Sequence, residues 1–336
     1  MLEVSLSEYK IYAPQKSKGD FEFLPLESVD SIAFEFDRTR MSAKSIFIIP
    51  EQTMMTASRI VGAPKAVELD KAPQILFGAR PCDIEALNLL DDVFFSGSYV
   101  DSYYQNERDR TMVIGLRCLE KCRTCFCGTM GSHDPKKGYD IMLTELSEDE
   151  YLVEAGTFKG QKLIRDHVNL MVDTQQHDKK AIISVMNHIA ETFKSDIPMV
   201  GFRGIMDLNW HDELWKKYEE ICLSCGQCVL VCPTCWCFDV KEEVAADPMD
   251  PGNINKTARV RRWTACLFTD FHTVTGGHVF KPTVAHRLEQ YYNHKLKGIS
   301  EKYGVWGCVG CGRCVSTCPV NIDIRESLKS IRGVES

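Results

Sequence analysis

The sequence predicts an α+β protein in two domains, an α/β-like one over residues 1–197 and a mainly helical one over residues 198–336. Three observations predict it. Up to about residue 170, short β-branched and aromatic runs alternate with helix-spaced stretches. A polar, helix-prone bridge from about Gln161 to Ser195 then leads to Pro198. Beyond it stand two nearly identical cysteine runs, separated by a long segment with helical periodicity. A chain of 336 residues also suits two domains at the usual prior of about 150 residues each.

Taken in order, residues 31–36 (Ser-Ile-Ala-Phe-Glu-Phe), 45–50 (Ser-Ile-Phe-Ile-Ile-Pro), 73–77 (Pro-Gln-Ile-Leu-Phe) and 111–115 (Thr-Met-Val-Ile-Gly) read as strands. Between the last two, residues 83–95 repeat their apolar positions at helical spacing, with Asp83 where an N-cap would stand. Asp140 to Thr144 and Tyr151 to Glu154 read as a hairpin closing the first domain. Past Pro198, Trp210 to Glu220 reads as a helix delivering the chain to the first cysteine run. Pro282 to Leu296 is an amphipathic helix candidate between the two runs.

Composition narrows the function classes. Hydrophobic residues make up 44%, enough for ordinary cores, and the net charge of -7 disfavours nucleic acid, which needs a basic face. No apolar run approaches the roughly 18 residues of a spanning helix, so no membrane span is expected. The first eight residues lack the basic start and apolar core of a signal peptide. Sixteen cysteines without an export signal point to a reducing, cytoplasmic compartment and to metal ligation.

The runs themselves are Cys222-Leu-Ser-Cys225-Gly-Gln-Cys228-Val-Leu-Val-Cys232-Pro233 and Cys308-Val-Gly-Cys311-Gly-Arg-Cys314-Val-Ser-Thr-Cys318-Pro319. Each is C-x2-C-x2-C-x3-C-P, the bacterial ferredoxin spacing, in which the fourth cysteine ligates the other cluster. The spacing therefore predicts two crossed [4Fe-4S] sites, one from Cys222, Cys225, Cys228 and Cys318, the other from Cys308, Cys311, Cys314 and Cys232. Structural zinc takes its ligands as two separated pairs, and a disulfide framework suits a short secreted chain, so neither reads as well. Ser224, Gly226, Gly310 and Gly312 fit tight loops whose amides turn toward the sulfurs. The 75 residues between Cys232 and Cys308 are too many for a compact bacterial ferredoxin. The second domain resembles instead the helical, ferredoxin-type dicluster modules of respiratory reductases and heterodisulfide reductase subunits.

Five more thiols crowd the first domain: Cys82 in Ala-Arg-Pro-Cys82-Asp83, and Cys118, Cys122, Cys125 and Cys127 within ten residues of each other. Both stretches follow a predicted strand, so their loops can meet at one edge of the sheet. That offers ligands for a third four-iron site, with Lys121 and Arg123 to offset its negative charge; inert buried thiols with one zinc are the plainer alternative. Spacing alone does not choose four of the five.

These motifs, with Cys125-Phe-Cys127, Cys232-Pro-Thr-Cys235-Trp-Cys237, Arg261-Arg-Trp-Thr-Ala-Cys266 and Gly276-Gly-His-Val-Phe280, resemble one family of dicluster electron-transfer proteins. It is the family shared by anaerobic sulfite reductase, through its iron-sulfur chain, and by soluble sulfhydrogenases, through their β subunit. The resemblance covers roughly residues 70 to 330. It implies an iron-sulfur electron carrier beside a flavoprotein subunit that binds NAD(P)H. It also implies Cys82, Cys118, Cys125 and Cys127 as the third set of ligands, with Cys122 as substitute. Cys235, Cys237 and Cys266 are left over; they offer a fourth site, completed by His278 or Cys122, or simply fill space as thiols. Arg261, Arg262, His286 and His294 read as surface, packing or charge-balancing residues.

No G-x-G-x-x-G follows a strand and no G-x4-G-K-[ST] occurs, so no nucleotide fingerprint is present, and no catalytic triad is recognisable. The expected function is a relay of electrons between an NAD(P)H-linked flavoprotein and a terminal reductase. Anaerobic sulfite reductase leads, a sulfhydrogenase comes next, and a subunit of a flavin-based bifurcating heterodisulfide reductase-like complex follows. A zinc-stabilised interaction module is the reading from another class.

Overall fold

The computed structural model describes residues 5, 7–58, 63–148, 150–208, 213–245 and 256–333. In chain order its strands are β1 (Lys10–Ser17), β2 (Asp20–Pro25), β3 (Glu51–Ser58), β4 (Lys65–Ala66), β5 (Gln74–Ala79), β6 (Thr111–Leu116), β7 (Ile141–Ser147), β8 (Glu150–Ala155), β9 (Phe238–Ala245) and β10 (Lys256–Trp263). Among the described residues they form a six-stranded sheet, β2-β1-β5-β6-β7-β8, and a four-stranded sheet, β4-β3-β10-β9.

In the larger sheet β1, β5, β6 and β7 run parallel, and antiparallel β2 and β8 close the two edges. Every residue of β5 and β6 is buried, which is why both read as continuous apolar runs. Helix α1 (Pro81–Phe95) leaves β5 at once, and Pro81 stands in its first turn, where a missing N–H costs nothing. Arg80, not Asp83, occupies the N-cap position; Asp83 is a buried residue of the first turn. The hairpin expected at 140–154 is present as β7 and β8. The bridge splits into α2 (Phe158–Asp166) and α3 (Gln176–Thr192).

Two expected strands are absent. Residues 31–36 follow a 3-10 turn, Val29–Ser31, capped by the Ser28 hydroxyl, and continue irregularly. Residues 44–47 form a short helix, because Ile46, Phe47 and Ile48 are all buried and a brief apolar run does not reveal its own period. The strand of that region is the polar Glu51–Ser58 after Pro50.

That strand also overturns a clean division at residue 197. β3 pairs antiparallel with β10, Gln52 opposite Arg261 and Glu51 opposite Arg262, so the second sheet joins the two halves of the sequence. Buried Arg261 then reaches Asp101 at 2.6 Å and Gln52 at 2.7 Å, while half-buried Arg262 pairs with Glu51 and Glu243. One apolar core likewise mixes Phe126 and Met130 with Trp215, Leu288, Tyr292 and Leu328.

The helix expected at 210–220 is seen over Glu213–Glu219, residues 210–212 lying outside the described part. The candidate at 282–296 is α4 (Val284–Asn293), capped by Thr283 and continued by a wide π turn over His294–Gly298. Helix α5 (Ile324–Arg332) follows the second cysteine run and buries Ile324, Leu328 and Ile331 at i, i+4 and i+7.

Candidate iron-sulfur centres

The first run bends at Gly226, whose φ of +72° only glycine adopts easily, and an added Cβ there would meet the Phe268 ring at 2.6 Å. A short helix, Gln227–Leu230, then carries Cys228. Cys222, Cys225 and Cys228 line one cavity with Cys318 of the other run, and Cys314 reaches its wall. The Ser224 and Ile322 amides donate to the Cys222 and Cys318 sulfurs at 3.4 and 3.3 Å, as expected of loops that cradle thiolates.

The sulfurs of the second run lie near enough to Cys232 to act on one another electrostatically. Burial, then the neighbouring Cys308, Cys311 and Cys232, pushes the Cys314 thiol well up; burial pushes Cys308 up to about 12 despite the Lys295 ammonium. Buried thiols that oppose one another's ionisation are fitted to a cationic metal core, which removes that opposition. The Gly310 amide donates to Cys308 Sγ at 3.4 Å.

Lys295, fully buried on the π turn, donates to Cys232 Sγ at 3.1 Å, Thr234 Oγ1 at 3.0 Å and the Gly307 carbonyl at 3.2 Å. Burial pulls its pKa down, but the neighbouring Cys232, Cys235 and Cys308 sulfurs outweigh it and hold the ammonium charged. Lys44, also buried, lies over the Trp263 ring at 4.1 Å and donates to the Leu230 carbonyl at 3.0 Å. Its burial lowers it against the pull of Cys235 and Cys232. Neither lysine is legible in the sequence, because nothing local marks a charge that will be buried.

All five first-half thiols, Cys82, Cys118, Cys122, Cys125 and Cys127, line a further cavity, together with Cys311. Cys82 stands in the first turn of α1, where the helix dipole favours a thiolate, and burial pushes both it and Cys118 up. Arg38 Nη1 donates to Cys122 Sγ at 2.5 Å. The charge balance expected from Lys121 and Arg123 comes instead from Arg38 and Arg80, which line the cavity. Lys121 pairs with Asp196 at 3.2 Å and Arg123 is exposed.

This loop is pressed onto the second run. Phe126 N donates to the Gly310 carbonyl at 2.7 Å, and Thr124 Oγ1 to the Gly312 carbonyl at 3.2 Å. A Cβ on Gly312 would stand 2.2 Å from the Thr124 carbonyl oxygen, so glycine is required for approach as well as for a φ of +69°.

Cys235, Cys237 and Cys266 line neither of these two cavities. The Cys235 thiol donates to Cys232, and Cys237 is brought down to about 7, chiefly by the hydrogen bond from Cys266. Neither proposed partner completes a fourth set: Cys122 faces Arg38 in the other cavity, and His278 lies in the Thr273–Val279 bridge, edge-on to Phe280 at 4.9 Å. His286 takes up its own Thr283 cap, and His294 packs edge-on to Trp236. Among the described residues no three His, Cys, Asp or Glu side chains gather at single-ion distance. A cubane makes a different demand, since each of its four thiolates takes a separate iron.

Comparison with known proteins agrees with this chemistry. Residues 221–322 match the 4Fe-4S dicluster domain. The chain is 30% identical over 325 residues to sulfhydrogenase 2 subunit beta of Pyrococcus furiosus, across 96% of this chain and 92% of that protein. No solved structure matches significantly. Among the described residues no helix is long and apolar enough to cross a membrane.

Proposed function

The chain belongs to the family that includes the sulfhydrogenase β subunits, and on that premise we propose that it relays electrons through three [4Fe-4S] clusters. Cys222, Cys225, Cys228 and Cys318 would hold the first, and Cys308, Cys311, Cys314 and Cys232 the second. Cys82, Cys118, Cys125 and Cys127 would hold the third, with Cys122 in reserve beneath Arg38. Such clusters accept and release single electrons at potentials set by surrounding charge, hydrogen bonds and exposure. Buried Lys295 and Arg80 and half-buried Arg38 supply positive charge for that purpose.

One observation carries the relay: cysteines of the second set line the cavities of the other two. Cys314 of the second set reaches the first cavity, and Cys311 of the second set lines the third. Three sites joined in this order suit passage of electrons from one docked partner to another. The partners we propose are a flavoprotein subunit that binds NAD(P)H and, on the strength of the relative's name, a hydrogenase rather than the sulfite reductase that the sequence put first. A cytoplasmic complex suits sixteen cysteines with no disulfide among them.

Cluster bleaching in an anaerobic cuvette tests the proposal. The isolated protein is expected to stay oxidised with NADH or NADPH and to become reducible when the flavoprotein partner is added. Rapid reduction by either nucleotide alone would sink it.

A further inference from the structure

Strands β5 and β6 lie parallel and end side by side, and the crevice beyond the carboxyl ends of parallel strands is where open α/β sheets take ligands. Here it widens into a cleft of about 760 Å³. Its floor is cationic. Arg80 is only 8% exposed, stacks on the Phe36 ring at 4.0 Å and hydrogen-bonds only to backbone carbonyls, and its buried Nε has no partner. Arg313, 1% exposed, commits Nε and Nη2 to Thr39 and Asp83 and leaves its buried Nη1 unpartnered. Arg38 donates to Cys122, Thr124 and Ser316, none of them a carboxylate.

Five carboxylates also line the cleft: Glu35, Asp37 and Glu120 are exposed, and Asp20 and Glu145, the latter on β7, are half-buried. A basic floor beneath an acidic rim repels a polyanion or an acidic protein surface yet admits a small, multiply accepting anion. Nor do these arginines serve only the neighbouring thiols. Arg313 lines the cleft but not the five-thiol cavity.

We propose that the floor of this cleft binds a small oxyanion in the forks of Arg80, Arg313 and Arg38, beside the five-thiol cavity. Guanidinium forks match the spaced oxygens of such an ion, and burial strengthens the contact. The inference goes beyond the relay: it gives this chain a ligand of its own, whatever its electron source.

The test is calorimetric titration of anaerobically purified, iron-loaded protein with sulfite and with sulfate at low ionic strength. At least one is expected to bind saturably at one site. Ser316→Asp sets a carboxylate against Arg38 and is expected to weaken binding roughly tenfold. Glu145→Gln removes a rim charge away from the thiols and is expected to tighten it about twofold to fivefold. Iron content, measured alongside, reports on the relay separately; if Ser316→Asp loses iron, Glu145→Gln decides. Absence of saturable binding of both anions, or affinity unmoved by Glu145→Gln, overturns the inference.

Discussion

Arg313 and Asp83 form a buried ion pair, Nη2 to Oδ2 at 2.8 Å, with each side chain 1% exposed. Asp83 follows Cys82 directly, and Arg313 stands between Cys311 and Cys314, so the pair ties the five-thiol cavity to the second run. Asp83→Leu leaves a charged guanidinium without its counter-ion and should cost about 3–5 kcal/mol. Asp83→Leu with Arg313→Met removes both charges and should recover much of that. Anaerobic thermal unfolding of the two variants decides; a single variant as stable as the parent would mean the pair is not what holds these segments together.

Gly312 and Gly304 separate two roles of glycine. Both have positive φ, +69° and +78°, but only Gly312 has backbone against it, whereas nothing lies within 4 Å of a Cβ at Gly304. Gly304→Ala should cost only the left-handed strain of about 1–2 kcal/mol. Gly312→Ala must also push the Thr124 segment away and should lose iron. Equal stability and equal iron in the two variants would contradict the close approach.

The crossed arrangement predicts effects on the opposite run. Cys318→Ser should damage the site of Cys222, Cys225 and Cys228, and Cys232→Ser that of Cys308, Cys311 and Cys314. Electron paramagnetic resonance of the reduced variants distinguishes them. Loss confined to the cluster of the same run would reverse the assignment.

Three four-iron clusters require roughly 12 irons per chain, against 8 for the ferredoxin-type pair alone. Cys122→Ala should leave the count unchanged, and a loss of about four irons would make Cys122 a ligand. From sequence alone, a fragment beginning near Gly201 would be expected to keep the pair. The structure gives the opposite expectation, since that fragment lacks β3, Phe126 and the Thr124 contact to Gly312. Iron analysis of the fragment checks this, and 8 retained irons would show the halves to be separable after all.

The legible parts of this protein are those with local causes. Cysteine spacing brought Cys318 to the first run, and unbroken apolar runs revealed β5 and β6. Thr111 to Gly115 needed no knowledge of its neighbours, because burial on both faces writes itself into composition. β3 is different: Glu51–Ser58 is polar and half-exposed, and it becomes a strand only through pairing with β10. Arg80 stands within the Ala-Arg-Pro-Cys motif, yet its role depends on Phe36 and on a cleft assembled from distant segments. Asp83 looked like a cap because its partner, Arg313, lies 230 residues away.

The pairing of Gln52 with Arg261 has a consequence in time as well as in space, since the residues are 209 positions apart. At about 5–20 residues per second, the ribosome exposes β3 for roughly 10–40 s before β10 exists to cover it. During that interval the nascent chain carries an unpaired strand and several open thiols. Closure of the second sheet therefore comes late, and folding of the nascent chain is vulnerable to aggregation until it does.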